Sequence, residues 1–129
     1  MEASTQRSAF YQHMLKLFER YDVLALPSAQ VWPFDAALRW PSHINGVAMD
    51  TYHRWMEVVI YATLAGLPSI SVPAGFSAAG LGNGLPPGLP IGLQLIGKPQ
   101  ADKAVLQLAH AYEQAAQDVL GVRPAEHRS

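Results

Sequence analysis

Along the N-terminal segment apolar side chains recur at the spacing of a helix. Phe10, Met14, Leu17, Phe18 and Tyr21 share one stripe, with Arg7, Lys16, Glu19 and Arg20 largely off it, which predicts an amphipathic helix over about Ala3–Tyr21. The pattern then changes. Val23 to Leu26 form a short apolar run closed by Pro27, suited to a strand covered on both faces. A second helical stripe joins Met56, Val59, Ile60, Thr63 and Leu64, widened by Tyr52 and Trp55. Asp50 or Thr51 can cap its start, Gly66 offers a left-handed stop, and Pro68 blocks continuation.

Period-two alternation follows at Ser69–Pro73, where Ile70 and Val72 alternate with serines. Pro73 lacks an amide donor, so pairing is expected to fail beyond it. A third strand, Ile91–Ile96, lies in GLPIGLQLIGKP (88–99), with Gln94 directed away from its apolar neighbours. Asp102 can cap a last helix that buries Val105, Leu108, Ala109, Tyr112, Ala115 and Val119 and ends at Gly121 and Pro124. The order predicts an α/β layered fold, three short strands with three long helices. Residues 1–121 read as one unit and 122–129 as a flexible tail. Three strands leave open edges, so the sheet is expected to be part of a larger one.

Residues 28–49 and 76–88 read as loops. Pro33, Pro41 and Asn45-Gly46 interrupt the first, yet Trp32, Phe34 and Trp40 are large for solvated positions. That points either to a docked, functional surface or to a loop packed by its own aromatics. The second is rich in glycine and proline; GLP recurs at 66, 84 and 88 without a repeat period, which is turn chemistry.

Composition sharpens this picture. Half of the 129 residues are hydrophobic and only 15% are charged, where about a quarter is ordinary. Such a surface is expected to be covered by something else. A net charge of −1 gives no basic footprint for nucleic acid. No apolar run reaches the ~18 residues of a membrane span. The start of the chain lacks a secretory apolar core, so a cytoplasmic location is expected. With no cysteine, neither disulfides nor thiol chemistry enter.

Candidate chemistry is sparse. His53 and Glu57 stand at metal-ligand spacing on the second helix, but two ligands make no site, and an ordinary surface pair is expected. His43 has no identifiable nucleophile beside it, and His110 reads as a surface residue. Ser69 and Ser71 belong to a strand, not to a strained G-x-S-x-G elbow. Lys16, Lys98 and Lys103 sit on helix or loop edges, where solvation keeps them charged. Motifs alone assign no catalytic residue.

AGLPSISVPAGF (65–76) and GLPIGLQLIGK (88–98), followed by an alanine- and leucine-rich helix and preceded by YDVLALPS (21–28), resemble the C-terminal portion of the amidase signature family. The likeness covers about Phe10 to Ala116. Members include the amidase subunit of aminoacyl-tRNA amidotransferases and bacterial amidases. It implies a mixed-sheet α/β/α fold and hydrolysis of amide C–N bonds with no metal and no cofactor. The family's nucleophilic serine, bridging serine and lysine base lie in a glycine- and serine-rich N-terminal region that this sequence does not match. No catalytic residue is therefore carried over, and the isolated chain is expected to be inactive. Two departures stand out: a lengthened turn at Leu81–Pro87, and Thr63 where the family often has asparagine.

The resemblance thus implies a C-terminal segment, from a shortened chain or a gene fragment, that supplies sheet and one wall of a substrate pocket. Trp32, Phe34, Trp40, Tyr52 and Trp55 are the expected wall residues, and Gln94, Gly66 and Pro73 the structural ones. Gln94 is expected to hydrogen-bond to loop backbone. Such a segment would pair with the missing N-terminal amidase portion or with itself. The alternative is a non-enzymatic self-associating or partner-binding module derived from that fold.

Overall fold

A computed structural model describes residues 2–79 and 84–123. Helix α1 (Glu2–Phe18) leads into β1 (Val23–Pro27), a small hairpin of β2 (His43–Ile44) and β3 (Val47–Ala48), and a 3₁₀ turn at Glu57–Val59. Then come α2 (Ile60–Ala65), β4 (Ser69–Phe76), β5 (Pro90–Gly97), α3 (Asp102–Ala115) and α4 (Gln117–Leu120). The main sheet runs β1-β5-β4, antiparallel at both junctions, so β5 is central. Of the sequence features, residues 81–83 of the lengthened turn and residues 124–129 of the tail lie outside the described residues.

Alternation along β5 divides the core into two. Ile96, fully buried at 0% exposure, packs with Met14 and Phe18 of α1, Ala62 and Ala65 of α2, and Leu67. Leu95, on the opposite face, packs with Val72 of β4 and Ala109 of α3. Helices therefore cover both faces of the sheet, and the strand period of two decides which residue meets which helix. At the end of β5, Gly97 permits a close approach of α3, because a Cβ there would overlap Val105 Cγ2. Tyr112 of α3 donates its hydroxyl to Pro73 O at 2.7 Å, fixing the helix to β4.

Several sequence expectations are corrected. The long second helix is absent: residues 51–56 are turns, and only Ile60–Ala65 is α-helical. The cause is specific. In an α-helix the Val58 N–H would bond to Arg54 O, but the Gln30 carboxamide stands between them. Its Nε2 donates to Arg54 O at 2.9 Å, and its Oε1 accepts from Val58 N at 3.0 Å. Gly66 still ends α2 in the left-handed region at φ 64°, its N–H bonded to Ala62 O and Thr63 O.

Pairing also continues past Pro73 to Phe76, through a bulge between Pro73 and Gly75 that accommodates the missing donor. Asn45-Gly46 does more than break structure. With φ 49° and 78°, these two residues turn the β2–β3 hairpin as a two-residue loop requires. Ala101, not Asp102, precedes the first turn of α3. The last helix breaks at Ala116, and Leu108 and Ala115, expected on its buried face, lie exposed. β1 is only half covered because it is an edge strand. Among the described residues, no helix is long and apolar enough to cross a membrane.

Candidate functional site

Two hollows meet at the end of β1. The larger is a groove of about 810 Å³ between the first half of β5 and the loop after Pro27. Ile91 and Leu93 form its strand side, and Trp32, Phe34 and Trp55 its aromatic side. Phe34 and Trp55 meet edge to face with centroids 5.6 Å apart, which gives this wall a defined shape. Not one of the groove's lining side chains among the described residues is ionisable.

Of the five aromatics expected to form the wall, Trp32, Phe34 and Trp55 line the groove, whereas Trp40 and Tyr52 do not. Tyr52 stands behind, edge-on to Trp55 at 5.9 Å and to Trp40 at 5.6 Å. The loop thus packs partly on its own aromatics while presenting others outward. Trp32 remains 47% exposed. The Trp55 indole N–H is enclosed and has no acceptor among the described residues.

The smaller hollow, about 510 Å³, carries the hydroxyls of Ser28, Thr63, Ser69 and Ser71 beside the apolar Val59, Ala62 and Leu67. Alternation along β4 places Ser69 and Ser71 on the α2 side of the sheet, beside Thr63 and Gln94. Ser28 lines both hollows, and its hydroxyl lies 2.6 Å from that of Ser71. Gly92 makes this meeting possible. A Cβ there would stand 2.8 Å from Ser28 Oγ and 3.2 Å from Ser71 Oγ.

Gln94, 5% exposed, anchors the junction. Its Nε2 donates to Pro27 O and to Val58 O, both at 2.9 Å, tying the end of β1 to the 3₁₀ turn. One buried carboxamide thus holds together the two segments that frame both hollows. Ser28, Gln30 and Gly92 were not singled out from the sequence. Only the register shows that Ser71 pairs with Gln94 and that Gly92 lies one step along from it.

The remaining candidates do not converge. His53 and Glu57 share no helix face, because residues 51–56 are turns. His43 Nδ1 lies 3.3 Å from Ser42 Oγ on the exposed hairpin. His110 faces Glu113 at 4.0 Å on the surface of α3, and Lys98 pairs with Asp22 at 3.1 Å. No three metal-ligating side chains cluster among the described residues.

The chain is thus an α/β sheet covered by helices on both faces, with an apolar groove and a smaller hollow bearing serine and threonine hydroxyls at one strand end. The chain belongs to the amidase family, whose sequence profile matches residues 1–106. It is 35% identical over 113 residues to a glutamyl-tRNA(Gln) amidotransferase subunit from Dehalococcoides mccartyi strain 195, covering 88% of this chain and 20% of that one. It is 43% identical over 107 residues to the same subunit from Synechococcus sp. strain CC9605, covering 83% and 19%. Among solved structures it superposes on a bacterial aryl acylamidase of the amidase signature family with a TM-score of 0.68 and 31% identity. That match covers 92% of this chain and 24% of the other. The chain therefore spans about a fifth of the length of the curated relatives it matches.

Proposed function

We propose that this chain acts as the C-terminal part of an amidase that hydrolyses carbon–nitrogen amide bonds, supplying sheet and one wall of the substrate pocket. The observation that carries the reading is the groove beside β5, walled by Trp32, Phe34 and Trp55 and opening at Ser28 toward the hydroxyl-lined pocket. The apolar groove suits an amide's substituent, and the hydroxyls beside it suit the C–N group. The nucleophile, its bridging serine and the lysine base come from a region that this sequence does not contain. The wall positions; the absent region reacts. Positioned groups supply most of an enzyme's advantage, so the chain alone does not turn over amides. No metal or cofactor has a role in this reading, and residues 1–121 act as one unit.

Open strand edges favour a second reading, a non-enzymatic module that pairs with itself or another chain. Among the described residues, β1 and β4 each have a neighbour on one side only. A chimera separates the two. This chain replaces the matching segment of the Dehalococcoides protein, and amide hydrolysis is measured. A folded chimera that hydrolyses amides supports the enzyme reading. A folded chimera without activity contradicts it.

A further inference from the structure

We infer that the groove accepts amides whose larger substituent is an uncharged aromatic or branched aliphatic group, and rejects amides bearing an α-ammonium or α-carboxylate. The inference deepens the amidase reading and rests on it. It starts from what the wall lacks. A charged headgroup taken out of water requires an opposite charge or several hydrogen bonds, or binding is lost to desolvation. No lining side chain among the described residues carries a charge.

Of the polar groups that line the groove, Ser28 and Gln30 are occupied, Asn45 is an uncharged carboxamide, and the Trp55 indole N–H has no acceptor among the described residues. Ser28 shares its hydroxyl with Ser71 at 2.6 Å. Gln30 spends both ends of its carboxamide on Arg54 O and Val58 N. Charged residues of the neighbouring loops have partners of their own: Asp35 Oδ1 accepts from Ala37 N, Arg39 lies over the Trp40 ring at 5.5 Å, and Arg54 faces Asp50 at 3.8 Å. Against this stand Trp32, Phe34, Trp55, Ile91 and Leu93, an aromatic and branched lining that suits a ring or a branched chain. The groove's volume, about 810 Å³, falls in the range of small-molecule sites. Its polar end is at Ser28, beside Gly92, and this end receives the amide.

The test uses two amides that differ by one charge. Ligand-observed NMR on the full chain compares 3-phenylpropanamide with L-phenylalaninamide, which adds only an α-ammonium, and with L-glutamine. The expected result is saturable binding of 3-phenylpropanamide, at least tenfold weaker binding of L-phenylalaninamide, and none of glutamine. Ile91→Ala and Trp32→Ala each weaken the first at least fivefold, while Leu106→Ala on the outer face of α3 does not. Circular dichroism checks that every variant folds. Equal affinity for the two phenyl amides, lost together in Trp32→Ala, overturns the charge selectivity and leaves the amidase reading standing. Binding of neither, or binding untouched by both groove variants, overturns the groove as the substituent's site. The amidase reading is judged separately, by the chimera's turnover.

Discussion

Gly92 and Gln94 show how two neighbouring positions on one strand face divide the work. Gly92 leaves room for a hydroxyl pair, and Gln94 donates to two carbonyls from separate segments. Gly92→Ala places a methyl 2.8 Å from Ser28 Oγ and 3.0 Å from Ser28 Cβ. Overpacking of this kind costs about 1–3 kcal/mol. Urea denaturation should register that loss, and adding Ser28→Ala should recover part of it, since the 2.8 Å contact with Oγ is then gone while the contact with Cβ stays. Gln94→Leu keeps the volume roughly but strands Pro27 O and Val58 O. With about 0.5–1.5 kcal/mol for each hydrogen bond lost, a loss of about 1–3 kcal/mol is expected. A midpoint unchanged from the parent chain would mean that the two bonds contribute nothing.

At the scale of elements, the segment between Asp50 and Gly66 decides the shape of the site. Its helical stripe is genuine in the sequence, yet Gln30, from a distant loop, occupies the hydrogen-bonding positions that a continuous helix would use at Arg54 and Val58. Gln30→Leu removes that bridge. The expected outcome is a loss of about 1–3 kcal/mol and altered near-ultraviolet circular dichroism from Trp55, whose strand of chain is no longer held. Unaltered stability and spectra would deny Gln30 this role.

The same contrast explains what was legible in the sequence. Local signals located α1, β1, β4, β5 and the left-handed stop at Gly66, because each follows from periodicity or from one residue's backbone preference. Gln30, Ser28 and Gly92 act across the fold. Their roles depend on register and on side chains far away in sequence, which no local pattern encodes. Pro73 misled in a different way. Its missing donor is absorbed by a bulge, and the strand goes on.

For the whole molecule, the low charged fraction and the two open strand edges belong together. β4 is blunted by its bulge at Pro73–Gly75, whereas β1 presents a regular edge from Val23 to Pro27. Unpaired edges recruit further strands. The isolated chain is therefore proposed to self-associate through β1, and sedimentation at micromolar concentration should give a species larger than the monomer. Ala25→Lys sets a charge on that exposed edge residue and should shift the distribution back toward monomer. A parent chain that sediments as a monomer would rule this mode out.

The central claim is that the groove beside β5 is a wall of an amidase's substrate pocket. The most direct measurement is kcat/KM for an aryl amide in the chimera, compared with the same chimera carrying Trp32→Ala or Leu106→Ala. Both side chains are well exposed, at 47% and 61%, so neither truncation should unfold the protein. Only Trp32 lines the groove. The account predicts a loss of about tenfold or more for Trp32→Ala, the scale of ~1.4 kcal/mol in transition-state binding, and no change for Leu106→Ala. Equal values for all three chimeras would contradict it.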